Sequence, residues 1–151
     1  MTTETTARVS MLVDAKPEAL YDAFVQPVHL CRYWLSVAAG PLQIGSPMHL
    51  TFMVPGASVD TAATVMDRGR ALVWDWSDGT RVSVEFEAVD NATLVTLVND
   101  RLPGAGAEQV AAALNATEGF AIVLSDLKTY LESGSSAGLT RAKARLIVLR
   151  A

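Results

Sequence analysis

The chain of 151 residues is poor in the side chains that build most metal and nucleophilic sites. It has one cysteine, Cys31, and two histidines, His29 and His49. A lone cysteine cannot form an intramolecular disulfide, which is typical of proteins from a reducing compartment. A zinc site needs three or four ligands in a fixed geometry, and three scattered side chains do not supply them. The sequence therefore predicts no metal site.

Charge is also scarce, and long apolar runs are missing. Only 19 % of the residues are charged, with 12 Lys+Arg against 16 Asp+Glu and a formal net charge of −4. This acidic balance argues against a nucleic-acid-binding domain, which usually has a basic face. No run approaches the roughly 18 apolar residues of a membrane helix. Residues 1–6 lack the basic and apolar stretches of a signal peptide. We expect a cytoplasmic protein without nucleic-acid binding or membrane insertion.

Familiar catalytic motifs are missing as well. The sequence has neither Gly-x-Ser-x-Gly nor a phosphate loop ending in Gly-Lys. Cys31 stands beside Arg32, but adjacent helical residues do not face each other, so this pair does not predict an activated thiolate. The sequence predicts no catalytic residue and no cofactor, and it leaves open whether the protein is an enzyme.

What the chain has is a large apolar fraction with clear periodicity. Half of its residues are hydrophobic, and a chain of this length can bury roughly 68–70 % of its unfolded surface. Alternation predicts a strand over residues 7–14. A helix is predicted to start near Asp14, with Pro17 in its first turn, and to stop at Pro27. Apolar spacing predicts a second short helix over 28–36.

Further strands follow, separated by turn signals. Alternation in the third of them places Trp74 and Trp76 on one face and Asp75 on the other. Asp78-Gly79 is a strong hairpin signal. The predicted strands are Met48–Val54, 60–67, Ala71–Ser77, Thr80–Val89 and Thr93–Asn99.

From about residue 107 to Glu132 the period changes to that of a helix, which Gly134 ends. A one-sided antiparallel sheet needs a cover. We therefore predict an α+β domain over residues 7–134, with a curved antiparallel sheet wrapped around this long C-terminal helix. The predicted apolar stripe is Val110, Leu114, Thr117, Phe120, Leu124, Leu127 and Leu131, and we expect the last three residues to be buried.

Residues 135–151 form a C-terminal extension of different composition. They carry four basic side chains and no acid, so residues 1–134 hold eight basic and sixteen acidic side chains. Leu146-Ile147-Val148-Leu149 is too apolar to be left in water. The extension is predicted to be ordered, either packed on its own domain or in contact with a second copy in a homodimer.

Several segments, in order and spacing, resemble a known family. They are Ala15–Phe24 followed by Gln26-Pro27, Arg32-Tyr33-Trp34, Arg70–Trp76, Thr93–Leu97 and Gly119–Glu132. Together they resemble the SRPBCC, or START-like, superfamily, and within it the family named after the activator of the heat-shock-protein-ninety ATPase. The resemblance implies a helix-grip fold, in which a seven-stranded sheet folds around a long helix and two short helices close one end. Members include lipid and hormone carriers, aromatic polyketide cyclases and co-chaperone domains.

Such folds often hold an apolar cavity between sheet and helix, and the aromatic residues suggest which side chains line it. Trp34 lies on the short helix expected at the cavity mouth, and the polar residues Asn99 and Glu118 are predicted near the long helix. Plain core packing is the alternative for each of them. The candidate lining residues are Trp34, Trp74, Trp76, Phe86, Asn99, Glu118 and Phe120.

Three functions follow from this resemblance. The first is binding of a hydrophobic small molecule, which an apolar cavity would favour. The second is a cyclase-like or dehydratase-like enzyme, which buried ionisable groups would favour. The third is a co-chaperone-like module that binds a chaperone or another protein, which a filled core with an exposed apolar patch would favour.

Overall fold

Strands and helices follow one another in the order that the sequence pattern indicates, with one extra strand and one extra helix. The computed structural model describes residues 4–151. The elements are β1 (Ala7–Val13), α1 (Pro17–Val25), α2 (Pro27–Tyr33), β2 (Leu35–Ala38), β3 (Met48–Phe52), β4 (Ser58–Asp67), β5 (Ala71–Trp76), β6 (Arg81–Val89), β7 (Ala92–Asp100), α3 (Ala107–Ser133) and α4 (Leu139–Leu149).

The seven strands form one antiparallel sheet in the order β1-β7-β6-β5-β4-β3-β2. Alternate residues point to the concave face, as period two requires. Val84 on β6 lies opposite Leu97 on β7, and both are fully buried. Helix α3 packs on this inner face, so the predicted α+β helix-grip architecture is confirmed.

The C-terminal half of α3 is the core helix that the 3.6-residue period predicts. Leu124 and Leu127 are fully buried, and Leu131 is partly buried against the same core. By length and composition alone α3 could also cross a membrane. Its buried leucines instead identify it as the core helix of the domain.

The N-terminal half of α3 departs from the predicted stripe. Val110 is 45 % exposed and Leu114 is 67 % exposed, so the expectation that they face the sheet is wrong. Both lie on the outer side of the helix, whose inner side here carries small residues: Ala113 is buried, and Ala112 and Ala116 are partly buried. The N-terminal half therefore packs through small side chains, whereas the C-terminal half packs through leucines.

The second short helix is shorter than predicted. The backbone leaves the helical region at Trp34, with φ −132° and ψ −54°, and Leu35 then starts β2. The Ser36 hydroxyl donates to the carbonyls of Thr51 and Phe52 on β3. A four-residue strand is too short to show a period, so the sequence did not reveal it. Asp14 does not cap α1 either, since the N-cap residue is Lys16.

Helices α1 and α2 fill one end of the sheet, called here the closed end. The Tyr33 hydroxyl donates to the carbonyl of Ala23 over 2.9 Å, and Tyr33 is fully buried. Burial raises the pKa of Tyr33 well above its usual value. The Phe24 ring packs edge-on against those of Tyr33 and Trp34, with centroids 6.4 and 6.3 Å apart. The closed end is therefore an ordinary packed core.

The extension is ordered as predicted, and a buried carboxylate holds it in place. Asp126 on α3 is fully buried. Its Oδ1 accepts hydrogen bonds from the Ser136 hydroxyl and the Ala137 N–H, and its Oδ2 accepts from the Thr140 N–H at the start of α4. Gly134 takes φ +86° in the turn between the helices, a conformation that favours glycine. The side chain of Asp126 thus fixes where α4 begins.

The apolar end of the extension is less buried than expected. Leu146 is 36 % exposed and Leu149 is 71 % exposed, while Ala144 is buried. Helix α4 therefore packs on its own domain along one face and leaves its last apolar turns open.

Candidate functional site

An apolar cleft of about 780 Å³ lies at the end of the sheet opposite the closed end. The segment after β3 and the strand β4 form one wall, and the N-terminal half of α3 forms the other. Helix α4 contributes Ala144 and Ile147 to the rim. Along this part of α3 the lining residues Ala112, Ala116 and Gly119 are small, so they leave space that large side chains would fill.

Aromatic rings form the floor of the cleft. Trp34 meets Trp76 edge-on with ring centroids 6.0 Å apart, and it meets Phe120 edge-on at 6.1 Å. Phe52 lies 5.8 Å from Trp76. Edge-to-face contacts of this kind hold the rings in fixed orientations and present flat apolar surface. Such a floor suits a planar or acyl ligand.

The structure brings four of the predicted residues together in the cleft lining, namely Trp34, Trp76, Asn99 and Phe120. The Asn99 side chain has a partner within the fold, since its Nδ2 donates a hydrogen bond to the carbonyl of Arg81 over 2.9 Å. The ligand-binding role of these residues remains a prediction.

The other predicted residues lie elsewhere. Trp74 and Phe86 are 3 % and 7 % exposed and pack against Phe24 in the core, with centroids 6.1 and 6.0 Å away. Glu118 points outwards, with 58 % of its side chain exposed, and forms an ion pair with Lys143 of α4. The Lys143 ammonium lowers the pKa of Glu118. Of this pair, Lys143 lines the cleft and Glu118 does not.

Charged groups are few in the lining, and each has a partner. Asp78 and Lys143 are the charged side chains that the described lining contains. Asp78 Oδ1 accepts from both the N–H and the hydroxyl of Thr80, at 2.9 and 2.8 Å. Both charges are therefore already engaged, and the remaining surface is mainly apolar.

The histidines and the cysteine do not converge. His29 Nδ1 lies 2.7 Å from the Tyr130 hydroxyl, and His49 Nδ1 lies 2.8 Å from Asp60 Oδ1 on an exposed face. Within residues 4–151, no group of three or more His, Cys, Asp or Glu side chains is placed to hold a metal ion.

Sequence reasoning missed the residues that α4 adds to the cleft. Lys143, Ala144 and Ile147 belong to the C-terminal extension, and the sequence does not specify the surface on which that extension packs. The sequence pattern places Phe52 on the apolar face of a strand. Its position beside Trp76, however, depends on where β3 lies in the sheet.

Comparisons with known proteins bear on the family and the fold. The family model described as Activator of Hsp90 ATPase homolog 1-like protein matches residues 14–132. No curated protein matches the chain.

Solved structures share the fold at low identity. Protein SSP2350 of Staphylococcus saprophyticus is 23 % identical, with a TM-score of 0.76 over 87 % of this chain and 95 % of that one. The Aha1 dimer of Colwellia psychrerythraea is 22 % identical, with a TM-score of 0.75 over 86 % and 98 %. DynU16, a protein of the dynemicin biosynthetic locus, is 20 % identical, with a TM-score of 0.76 over 89 % of this chain and 49 % of its own.

Proposed function

The chain belongs to the family of activator of Hsp90 ATPase homolog 1-like proteins, and within that family we propose that it binds a hydrophobic small molecule in the cleft between the sheet and α3. The cleft carries the proposal. Its volume of about 780 Å³ lies inside the range of roughly 300–1,000 Å³ that is usual for ligand pockets. Trp34, Trp76 and Phe120 supply the aromatic floor. The single cysteine favours the cytoplasm as the place of action.

Filling the cleft tests this proposal. Ala116 lies in the lining, whereas Ala111 is an exposed alanine on the same helix. We expect Ala116→Trp to weaken binding of the neutral fluorescent probe N-phenyl-1-naphthylamine by more than about tenfold, because the indole takes the ligand's place. Ala111→Trp is the matched control and should bind like the unmodified chain. The readout is the rise in probe emission on titration. Unchanged binding by Ala116→Trp would place the ligand elsewhere.

A cyclase-like or dehydratase-like reaction in the same cleft is supported less well. Such chemistry needs an acid or base positioned to move a proton. The charged groups in the described lining, Asp78 and Lys143, already pair with Thr80 and Glu118. This pairing favours binding without a reaction.

A second copy of the chain is the protein partner that we propose. Leu139, Ala142, Leu146 and Leu149 follow one another along the outer face of α4 at helical spacing, and the three leucines are 36–71 % exposed. The extension is purely basic, whereas residues 1–134 carry sixteen acidic and eight basic side chains. We infer that the apolar stripe forms the contact with the other copy, while the arginines beside it lie at the rim, near the acidic body of that copy. The Aha1 protein of Colwellia psychrerythraea, which shares the fold, is a dimer.

Sedimentation of a stripe variant tests the dimer. Leu149→Lys should shift the chain from dimer to monomer, because it places a charge in the proposed apolar contact. Val28→Lys, at a 63 % exposed position on α2, is the matched control and should leave the mass unchanged. A monomeric unmodified chain would refute the dimer. If that monomer also bound an Hsp90-type chaperone and lost this binding in Leu149→Lys, the stripe would instead serve a chaperone.

A further inference from the structure

A buried asparagine borders the cleft with the oxygen of its amide unused. Asn99 on β7 lines the cleft and is only 5 % exposed. Its Nδ2 donates to the carbonyl of Arg81 over 2.9 Å. Turning the amide over would set two oxygens against each other at that distance, so this contact fixes the orientation of the side chain. Oδ1 is therefore an acceptor in a fixed position.

The Asn99 oxygen is open to the cleft. Within residues 4–151 it accepts no hydrogen bond, but it is not one of the atoms that lack both a partner and contact with solvent, which belong to Trp74, Asp100 and Thr140. The oxygen therefore keeps contact with solvent. Because so little of Asn99 is exposed and the residue lines the cleft, that contact lies in the cleft. A ligand there can reach the oxygen without displacing another side chain.

The polar side chains near Asn99 also offer acceptors. The hydroxyl hydrogen of Thr80 is already used, because it donates to Asp78 Oδ1 over 2.8 Å. Both residues line the cleft, and Thr80 directly precedes Arg81, whose carbonyl holds the Asn99 amide. An ionised carboxylate can only accept hydrogen bonds. Asp78, Thr80 and Asn99 thus form a polar end of the cleft that suits a neutral donor and repels an anion.

We propose that the cleft selects ligands that carry a hydroxyl group on an apolar frame, and that this hydroxyl donates to Asn99 Oδ1. The inference rests on the proposed function, because it concerns a ligand held in the same cleft. The aromatic floor of Trp34, Trp76 and Phe120 contacts the apolar frame. Asn99 is then a specificity-determining residue.

Discrimination follows from the cost of a hydrogen bond that is not made. A hydrocarbon in the cleft shields Oδ1 from water and leaves it unpaired, whereas a hydroxyl replaces the lost water. A single neutral hydrogen bond of this kind corresponds to about tenfold in affinity.

Two probes with the same ring system test the proposal. 2-Naphthol carries a hydroxyl where 2-methylnaphthalene carries a methyl group. Calorimetry gives the ratio of their affinities in the unmodified chain and in Asn99→Leu, and the different hydration of the probes cancels between the two proteins. We expect the substitution to shift this ratio about tenfold against 2-naphthol. Asn91→Leu, in the exposed turn between β6 and β7, is the matched control and should keep the ratio.

Measurements on the unmodified chain do not depend on how a variant folds. In nuclear magnetic resonance spectra, 2-naphthol should move the Asn99 side-chain amide signals further downfield than 2-methylnaphthalene does, since ring-current shifts are common to both probes. 2-Methoxynaphthalene, whose oxygen can only accept, should bind no more tightly than 2-ethylnaphthalene. A gain for the ether would overturn the role of Asn99 as the acceptor.

The outcomes separate this inference from the proposed function. If neither 2-naphthol nor 2-methylnaphthalene binds the unmodified chain, the proposed function fails and this inference fails with it. If both bind, the ratio is the same in Asn99→Leu and the amide signals move equally, the cleft binds apolar ligands without selection by Asn99, and only this inference is refuted.

Discussion

The two ends of the domain use the same sheet and the same long helix for different purposes. At the closed end, α1 and α2 cover the inner face, and Phe24 and Tyr33 are buried in a packed core. At the other end, α3 contributes the small residues Ala112, Ala116 and Gly119, and a cleft of about 780 Å³ remains beside Trp34, Trp76 and Phe120. The comparison shows that inward alternation alone does not fill a core. The side chains of the helices that cover the sheet decide whether its apolar face is packed in a core or borders an open cleft.

The polar groups differ between the two ends in the same way. The buried Tyr33 hydroxyl of the closed end has one fixed acceptor, the carbonyl of Ala23. At the cleft, Glu118 of α3 and Lys143 of α4 form an ion pair at the protein surface. The closed end is therefore expected to dominate stability, and the cleft end to tolerate substitutions.

The largest expected effect contrasts the two halves of α3. Leu127→Ala should lower the free energy of unfolding by roughly 2–5 kcal/mol, because Leu127 is fully buried and its truncation leaves a cavity in the core. Leu114→Ala, at a 67 % exposed position of the same helix, should change it by less than about 0.5 kcal/mol. Urea denaturation measures both. Similar losses in the two variants would show that Leu114 is also packed.

A smaller effect is expected where α4 is anchored. Asp126→Ala removes the acceptor of the Ala137 and Thr140 N–H groups and should destabilise the protein by roughly 1–3 kcal/mol. Amide hydrogen exchange should accelerate in α4 and remain slow in β6. Ser136→Ala removes one donor to the same carboxylate and is the milder control. Unchanged exchange in α4 of Asp126→Ala would show that its other contacts hold it.

The smallest effect concerns an ion pair at the closed end and has a defined pH dependence. Arg68 donates two hydrogen bonds to Asp22, at 3.0 and 2.7 Å, and thereby lowers the pKa of Asp22. Because the folded-state pKa is depressed, the stabilisation is fully present above the unfolded value of about 3.9 and is lost as the pH falls through the folded value. Asp22→Asn should therefore be less stable than the unmodified chain at neutral pH.

Thermal unfolding from pH 7 to pH 2 checks that prediction. The difference between Asp22→Asn and the unmodified chain should shrink below pH 4, and added salt should reduce it at neutral pH, since both side chains are partly exposed. Asp14→Asn, a carboxylate whose side chain forms no ion pair within the described residues, serves as the control. A constant difference across this pH range would mean that the pair contributes nothing.

Much of the fold was predictable because it rests on local periodicity. The predicted strand over 7–14 corresponds to β1, and the predicted helix over 107–132 corresponds to α3. Alternation correctly placed Trp74 and Trp76 on the inner face, and the structure buries both. Order and spacing of short segments were enough to indicate the family. These features depend on residues that are close to one another in the sequence, so the sequence alone is enough to predict them.

The site depended on contacts between distant segments. Trp74 and Trp76 share one face and their ring centroids lie 5.7 Å apart, yet only Trp76 borders the cleft. Alternation specifies the face of a sheet and says nothing of what covers each point along it. Likewise the sequence showed that 135–151 needed a partner surface, but the buried carboxylate of Asp126 decided where α4 starts. Sequence periodicity determined the elements, whereas the placement of α3 and α4 over the sheet, which is a property of the packed whole, decided where the cleft opens.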